Sequence, residues 1–333
     1  MEEMSKRERI CVTGAGGYVA SWVVKFLLSK GYKVHGTVRD PSDQKNAHLK
    51  ELENAQESLH LFATDLLNYE GLCAAITGCT GVLHVASPVP VGKVQNPEAK
   101  LMEPAITGTR NVLNACLKAN VKKVVVVSSI GAVMVNPNWP KDQVMDERCW
   151  TDTERCKSIE HWYCIAKTIA ESEALDFAKR TKLNILTVCP SLVIGPMLQS
   201  TWNSSSLYLL NFLKESSEPA DNGVRAFVDV RDLAEAILLA YKKPKAEGRY
   251  ICSSYEIHTQ DLVQMLKRFY PDYSYPKSFK EAESHLKLSS EKLQNLGWKY
   301  RSFEETIVDT VKNYEEKGAL CKNIPASIQL GPK

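Results

Sequence analysis

The chain has 333 residues, with 42 Lys and Arg against 39 Asp and Glu, and a net charge of +3. So small an excess gives no electrostatic footprint for nucleic acid or an acidic membrane surface, and no apolar run approaches the roughly 18 residues of a membrane span. Residues 1–9 are charged and the ten cysteines lack zinc-type pairing. The composition therefore predicts a cytoplasmic globular protein with no metal and no required protein partner.

An apolar strand at 9–13 runs into the turn Gly14-Ala15-Gly16-Gly17, and a helix at 18–29 follows at once. Glycine allows the tight turn and close backbone approach. The helix start beyond it offers free N–H groups and a positive dipole end to a pyrophosphate. The spacing Gly14-x-x-Gly17-x-x-Ala20 thus predicts a dinucleotide site, with Tyr18 and Val19 at the helix start among its contacts.

Further strands are expected at 33–38, 59–64, 82–86, 124–128 and 185–188, and helices at 69–76, 96–119 and 158–180. This alternation predicts the α/β class, a doubly wound parallel sheet with helices on both faces. The four valines at 124–127 fit a strand buried on both sides. After Pro190 the rhythm breaks: 192–196 leaves the sheet and a polar stretch spans 199–206. A helix at 230–242, a strand at 248–253 and helices at 259–269, 290–296 and 303–317 complete the pattern. The expected division is a cofactor domain over 1–195, to which 225–255 returns, and a smaller C-terminal substrate lobe from 196–224 and 256–333.

Tyr163 and Lys167 are four apart in a helical pattern and share a face. Ser128 and Ser129 end the fifth strand, at the carboxyl edge of the sheet where such folds bind ligands. Together they suggest carbonyl reduction. Hydride transfer leaves an alkoxide that needs a proton, which a tyrosine hydroxyl can supply, and a nearby ammonium is expected to lower its pKa of about 10. A serine hydroxyl can hold the carbonyl oxygen. The second strand ends at Arg39-Asp40. Arg39, with Lys45 as a second cation, suits the 2′-phosphate of NADP(H); Asp40, were it to face the ribose, would favour NAD.

Several further residues have bland readings. Asn203-Ser-Ser205 is a glycosylation sequon that a cytosolic chain would not use, and His84 and His161 read as packing or turn residues. Trp139 and Trp150 fit a substrate mouth or core packing, and a Cys149–Cys156 disulfide is left open.

Five segments occur in order: Thr13-Gly-Ala-Gly-Gly-Tyr-Val-Ala-Ser-Trp22, His84-Val-Ala-Ser-Pro88, Ser128-Ser-Ile-Gly-Ala132, Trp162-Tyr-Cys-x-x-Lys167 and Val230-Arg-Asp232. From 9 to 320 the chain resembles the extended short-chain dehydrogenase/reductases. Within them it resembles the plant group of cinnamoyl-CoA reductases, cinnamyl-alcohol dehydrogenases and dihydroflavonol reductases, enzymes of phenylpropanoid and lignin biosynthesis. The resemblance implies a Rossmann fold, NADPH as cofactor, and Ser129, Tyr163 and Lys167 as the catalytic set, Lys167 also reaching the nicotinamide ribose. Ser129 is preferred to Ser128 because it directly precedes the Ile-Gly-Ala turn. It further implies cofactor contacts from Asp65 and Leu66, from Val85, Ala86 and Ser87, and from Pro190 and Val193, and a substrate wall with Ile130, Tyr163, Leu192 and Tyr208.

Departures guide the substrate expectation. His161-Trp-Tyr-Cys-Ile-Ala-Lys167 stands where cinnamoyl-CoA reductases typically carry Asn-Trp-Tyr-Cys-Tyr-Gly-Lys. Tyr208, Asn211 and Thr259 align with positions where CoA-using members tend to have His, Lys and Arg. Losing three donors to a polyanion predicts a neutral hydroxycinnamaldehyde-type aldehyde as substrate, or the aromatic alcohol in reverse. The alternatives are thioester reduction, then a dihydroflavonol-type ketone. Sugar-nucleotide epimerisation uses the same three side chains but needs NAD, against which Arg39 argues. An NADP-sensing binding protein is the non-enzyme alternative.

Overall fold

The computed structural model describes residues 8–90, 92, 94–214, 219–282 and 286–320. Of the expected units, 1–7, 215–218, 283–285 and 321–333 lie outside the described residues. The first half runs β1 (Arg9–Thr13), α1 (Tyr18–Ser29), β2 (Lys33–Val38), the single turns α2 (Ala47–Lys50) and α3 (Ala55–Ser58), β3 (Leu59–Ala63), α4 (Tyr69–Ile76), β4 (Gly81–His84), α5 (Glu103–Lys118), β5 (Lys123–Val127), α6 (Thr153–Ser158), α7 (Trp162–Thr181) and β6 (Asn184–Pro190). The second half runs β7 (Leu192–Ile194), α8 (Ser204–Phe212), β8 (Ala220–Asp221), β9 (Val224–Asp229), α9 (Val230–Lys242), β10 (Gly248–Cys252), β11 (Tyr255–His258), α10 (Thr259–Phe269), β12 (Phe279–Lys280), α11 (Glu291–Asn295) and α12 (Phe303–Glu316).

The central sheet has the order β10-β6-β5-β4-β1-β2-β3, and every pairing in it is parallel. The chain winds outward from β1 to β3, then returns to β4 on the other side of β1 and winds outward again. This is the doubly wound Rossmann arrangement, whose ligand crevice opens between the carboxyl ends of β1 and β4. Both faces are buried. Val125 and Val127 join the core under α1 and α9, whereas Val124 and Val126 join the core under α4, α5 and α7. That two-sided burial is why β5 reads as unbroken valine.

Three expected elements change. The helix expected at 158–180 starts late, at Trp162 as α7, because Glu160 adopts a left-handed φ of 55° after α6 ends at Ser158. Tyr163 therefore sits in the first turn of α7. The helix expected at 96–119 starts as α5 at Glu103, behind a π-type turn over Glu98–Met102 that leads into Pro104 at the helix start. The segment 225–255, expected to return to the main sheet, divides. Only β10 joins it, beside β6. β9 pairs instead with β7 and β11 in a second, three-stranded sheet, in the register Leu192↔Phe227. The chain beyond Pro190, expected to leave the sheet, thus becomes an edge strand of this second sheet, and it turns away at Gly195 with φ 125°. Among the described residues no helix is long and apolar enough to cross a membrane.

Candidate active site

The carboxyl ends of the central strands open into a cleft of about 2220 Å³. A single small-ligand pocket occupies roughly 300–1,000 Å³, so this cleft has room for a dinucleotide and a second ligand together. Every site residue expected from the sequence lines it: Gly14, Gly16, Gly17, Tyr18 and Val19; Arg39 and Lys45; Asp65 and Leu66; Val85, Ala86 and Ser87; Ser129 and Ile130; Tyr163 and Lys167; Pro190, Leu192 and Val193; and Tyr208.

At one end the β1–α1 turn forms the floor. Gly14 has φ 66°, and a Cβ there would lie 2.9 Å from the Ala86 Cβ. A Cβ on Gly16 would lie 2.0 Å from Asn46 Oδ1. Gly17 caps α1 with no side-chain hydrogen bond and no acidic residue follows in the first turn, so the helix start is left open to an anion. Tyr18, however, turns its hydroxyl away to the Gly195 carbonyl at 2.8 Å.

Arg39 and Asp40 are separated by where their side chains go. Asp40 accepts hydrogen bonds from the Ser42 N–H and hydroxyl at 2.8 and 2.6 Å, which hold its carboxyl below the usual range. It does not line the cleft, whereas Arg39 does, with no ion pair among the described residues. Lys45 lines the cleft too, but its ammonium is 2.6 Å from Asp43. These residues fit NADP(H): one unpaired guanidinium at the end of β2 and no carboxylate turned toward a ribose. Arg39→Ala is expected to weaken NADPH binding about 10- to 100-fold, the scale of one charge-assisted contact, with NADH changed much less. Titrating both cofactors checks this, and equal losses would remove Arg39 from phosphate reading.

The segment after β4 is held by a relay. Thr109 Oγ1 donates to the Ala105 carbonyl at 2.7 Å, so it accepts from His84 Nε2 at 3.2 Å. His84 Nδ1 then accepts from Thr13 Oγ1 at 2.9 Å, and that oxygen accepts the N–H groups of Val85 and Ala86 at 3.1 and 3.0 Å. Burial, with Lys167 adding to it, lowers the His84 pKa to about 3, so the ring stays neutral and acts as scaffold. Asp65 spends one oxygen on its own turn, accepting from the N–H groups of Leu67 and Asn68 at 2.8 and 3.1 Å.

The two serines part company. Ser128 donates inward to Glu171 at 2.8 Å. Ser129 accepts from the Gly131 N–H at 3.0 Å and pulls the pKa of the Tyr163 hydroxyl downward. Lys167 is buried, donates to the Val127 carbonyl at 3.2 Å and has its ammonium 6.0 Å from the Tyr163 ring centre. The expected fall in the tyrosine pKa does not occur. Burial pushes the Tyr163 hydroxyl up to about 12 against the pull of Ser129, and burial lowers Lys167 to about 8 against the pull of Glu171. Desolvation outweighs the ammonium because Lys167 bonds the strand end rather than the phenol.

The opposite wall is apolar with cations at intervals. Ile130, Leu192 and Trp139 line it, whereas Trp150 lies away from the cleft and stacks on Arg249 at 3.6 Å. Tyr208 lines the cleft with its hydroxyl buried and lacking a hydrogen-bond partner among the described residues, its ring edge-on to Phe212. Of the other two positions aligned with CoA-binding cations, Asn211 is exposed on α8 and Thr259 is buried, donating to the Gly223 carbonyl at 3.1 Å. Neither lines the cleft. Arg225, Lys100 and Lys141, which the sequence reading did not single out, do. Arg225 acts on the Tyr208 hydroxyl, lowering its pKa against burial. No local pattern marks Arg225; it reaches the cleft because β9 pairs with β7. Cys149 and Cys156 are free thiols in separate apolar clusters.

A cleft that seats a phosphorylated dinucleotide beside an uncharged phenol and a buried lysine belongs to an NADP-dependent oxidoreductase. The chain is 46% identical over 315 residues to cinnamoyl-CoA reductase 1 of Petunia hybrida, covering 93% of each chain. Its fold matches vestitone reductase of alfalfa (Medicago sativa L.) with a TM-score of 0.82 and 29% identity, over 94% of this chain and 99% of that one. Gre2 of Candida albicans, solved in complex with NADPH, matches with a TM-score of 0.81 and 27% identity, over 93% and 99%. Residues 10–253 match the NAD dependent epimerase/dehydratase family, and the chain belongs to this family, among its extended short-chain plant reductases.

Proposed function

We propose that the protein reduces the thioester carbonyl of a hydroxycinnamoyl-CoA to the aldehyde. The observation that carries this reading is the lining of the cleft: apolar and aromatic side chains together with Ser129 and Tyr163, and the cations Arg225, Lys100 and Lys141, which suit a polyanionic carrier. The relatedness to a cinnamoyl-CoA reductase supports it. The free-aldehyde preference expected from the sequence rested on three positions, of which only Tyr208 lines the cleft.

The glycine turn, Arg39 and Lys167 would hold NADPH, which when bound would supply the hydride for the carbonyl carbon. Ser129 and Tyr163 hydrogen-bond the carbonyl oxygen as it takes up the electron pair, and Tyr163 donates its proton there. Breaking the C–S bond then releases the thiol and leaves the aldehyde, so thioester, NADPH and one proton give aldehyde, CoA and NADP⁺. A phenol held near pKa 12 stays protonated at neutral pH, which suits the reductive direction.

Free-aldehyde reduction is the second reading, favoured by the uncharged Tyr208 on the cleft wall. Feruloyl-CoA is expected to show a higher kcat/KM than coniferaldehyde. Arg225→Ala should lower kcat/KM for the thioester about 10-fold, an effect that shrinks as salt screens the charge, and leave coniferaldehyde nearly unchanged. A wild-type preference for coniferaldehyde would install the second reading.

A further inference from the structure

Tyr163, Lys167 and Glu171 recur every fourth residue along α7 and so share one face. Two of the three hold the end of β5: Lys167 donates to the Val127 carbonyl at 3.2 Å, and Glu171 Oε2 accepts from the Ser128 hydroxyl at 2.8 Å, while Tyr163 lines the cleft with Ser129. The other oxygen of Glu171 reaches β6, accepting from the Thr187 hydroxyl at 2.6 Å and the Cys189 thiol at 3.1 Å. Arg249 of β10 closes the set with its Nε 2.9 Å from Glu171 Oε1. Its remaining N–H groups donate to the carbonyls of Ala132, Glu147 and Cys149, at 3.2, 3.0 and 2.8 Å, and Trp150 covers its face. The Glu171 side chain is 0% exposed and that of Arg249 5%.

Stability alone does not call for an ion pair in this place, because well-packed apolar residues often serve as well. What apolar residues cannot do is hold polar side chains of two strands at once, Ser128 after β5 and Thr187 and Cys189 of β6, or present charge to the lysine above. We propose that Glu171, anchored by Arg249, is a positioning residue that sets α7 in register with the ends of β5 and β6 and presents its carboxylate to Lys167. The proposal rests on the reading of Tyr163 as proton donor and Lys167 as its cationic neighbour.

The charges around Lys167 single out Glu171. β4 presents His84, which is neutral; β6 presents the Cys189 thiol, which burial pushes well up; β5 presents a carbonyl and hydroxyls; α7 itself presents the neutral Tyr163; and Arg249 reaches the lysine only through Glu171. Burial lowers Lys167 to about 8, and Glu171 pulls it upward. Removing that negative charge lowers the pKa further, so the ammonium is lost at lower pH.

The test is the pH profile of Glu171→Gln in the full chain, from roughly pH 6 to 10, with whichever of feruloyl-CoA and coniferaldehyde the wild type turns over faster. The alkaline limb of kcat is expected to move down by about one pH unit, with KM for the carbonyl substrate nearly unchanged, and Glu171→Asp should move it back. A merely structural role would lower the melting temperature and the active fraction while the limb stayed put; an unmoved limb in folded protein overturns the proposal. Should Glu171→Gln fail to fold, Ser128→Ala breaks one strand-end bond and keeps the ion pair. It should then lower kcat severalfold at an unmoved limb, and an unchanged kcat overturns the positioning. Tyr163→Phe, run alongside, keeps the two readings apart: full turnover in it removes the proposed acid, whereas lost turnover with an unmoved Glu171→Gln limb removes the present inference alone.

Discussion

Tyr163→Phe is expected to lower turnover by ~10²-fold or more while NADPH still binds. The substitution keeps the ring, which packs near Leu101, Ala105 and Ala166, and removes only the hydroxyl. That hydroxyl is suited to protonate the reduced carbonyl oxygen: it lines the cleft with Ser129, and burial keeps it protonated up to about pH 12. Ser129 alone can polarise the carbonyl, but a serine hydroxyl is a far weaker acid than a phenol. Single-turnover loss of the reduced-nicotinamide absorbance, beside a cofactor titration, separates chemistry from binding. Turnover near wild type would reassign the proton donor.

The second large effect is expected at Lys167. Lys167→Met keeps most of the apolar stem and removes the ammonium, so kcat/KM should fall by ~10²-fold, through a lower kcat and weaker NADPH binding together. The ammonium is present below a pKa of about 8 and lost above it, so wild-type activity should decline through an alkaline limb near that pH. The variant has no such group to titrate and should lack this limb. Cofactor affinity identical to wild type would take the ribose role away from Lys167. A limb that persists in the variant would assign it to another group. His84, one of the titratable groups beside the lysine, does not compete for that limb, because its ring titrates near 3.

The two effects differ in what they disturb. Tyr163 lies at the start of α7 with its hydroxyl toward the cleft, so losing that oxygen leaves the strand ends where they were. Lys167 is a rung between α7 and β5, and its loss also frees the Val127 carbonyl beneath the site. A KM change is therefore expected at Lys167 and not at Tyr163.

Much of this protein was readable in the chain because its signals are local. The β1–turn–α1 unit lies within about twenty residues, and the positive φ of Gly14 belongs to that turn, although the side chains that crowd Gly14 and Gly16 are those of Ala86 and Asn46. The valines of β5 announce burial on both faces, and Tyr163 and Lys167 share a face by helical arithmetic alone. What the tertiary structure decided turns on partners distant in sequence. Ser128 points inward because Glu171, 43 positions later, receives it, which leaves Ser129 for Tyr163. One contact is local: Ser42, two residues on, occupies Asp40, while Arg39 lines the cleft. The helix break at Glu160 has no strong sequence mark, since glutamate is an ordinary helix residue and only the packed chain holds it at positive φ. Arg225 enters the cleft because β9 pairs with β7 rather than with the main sheet. Periodicity and turn chemistry are fixed by neighbours along the chain. The direction of a side chain, its desolvation and the charge it meets are fixed by neighbours in space, and for Tyr163 burial by those neighbours reversed the sign of the expected pKa shift.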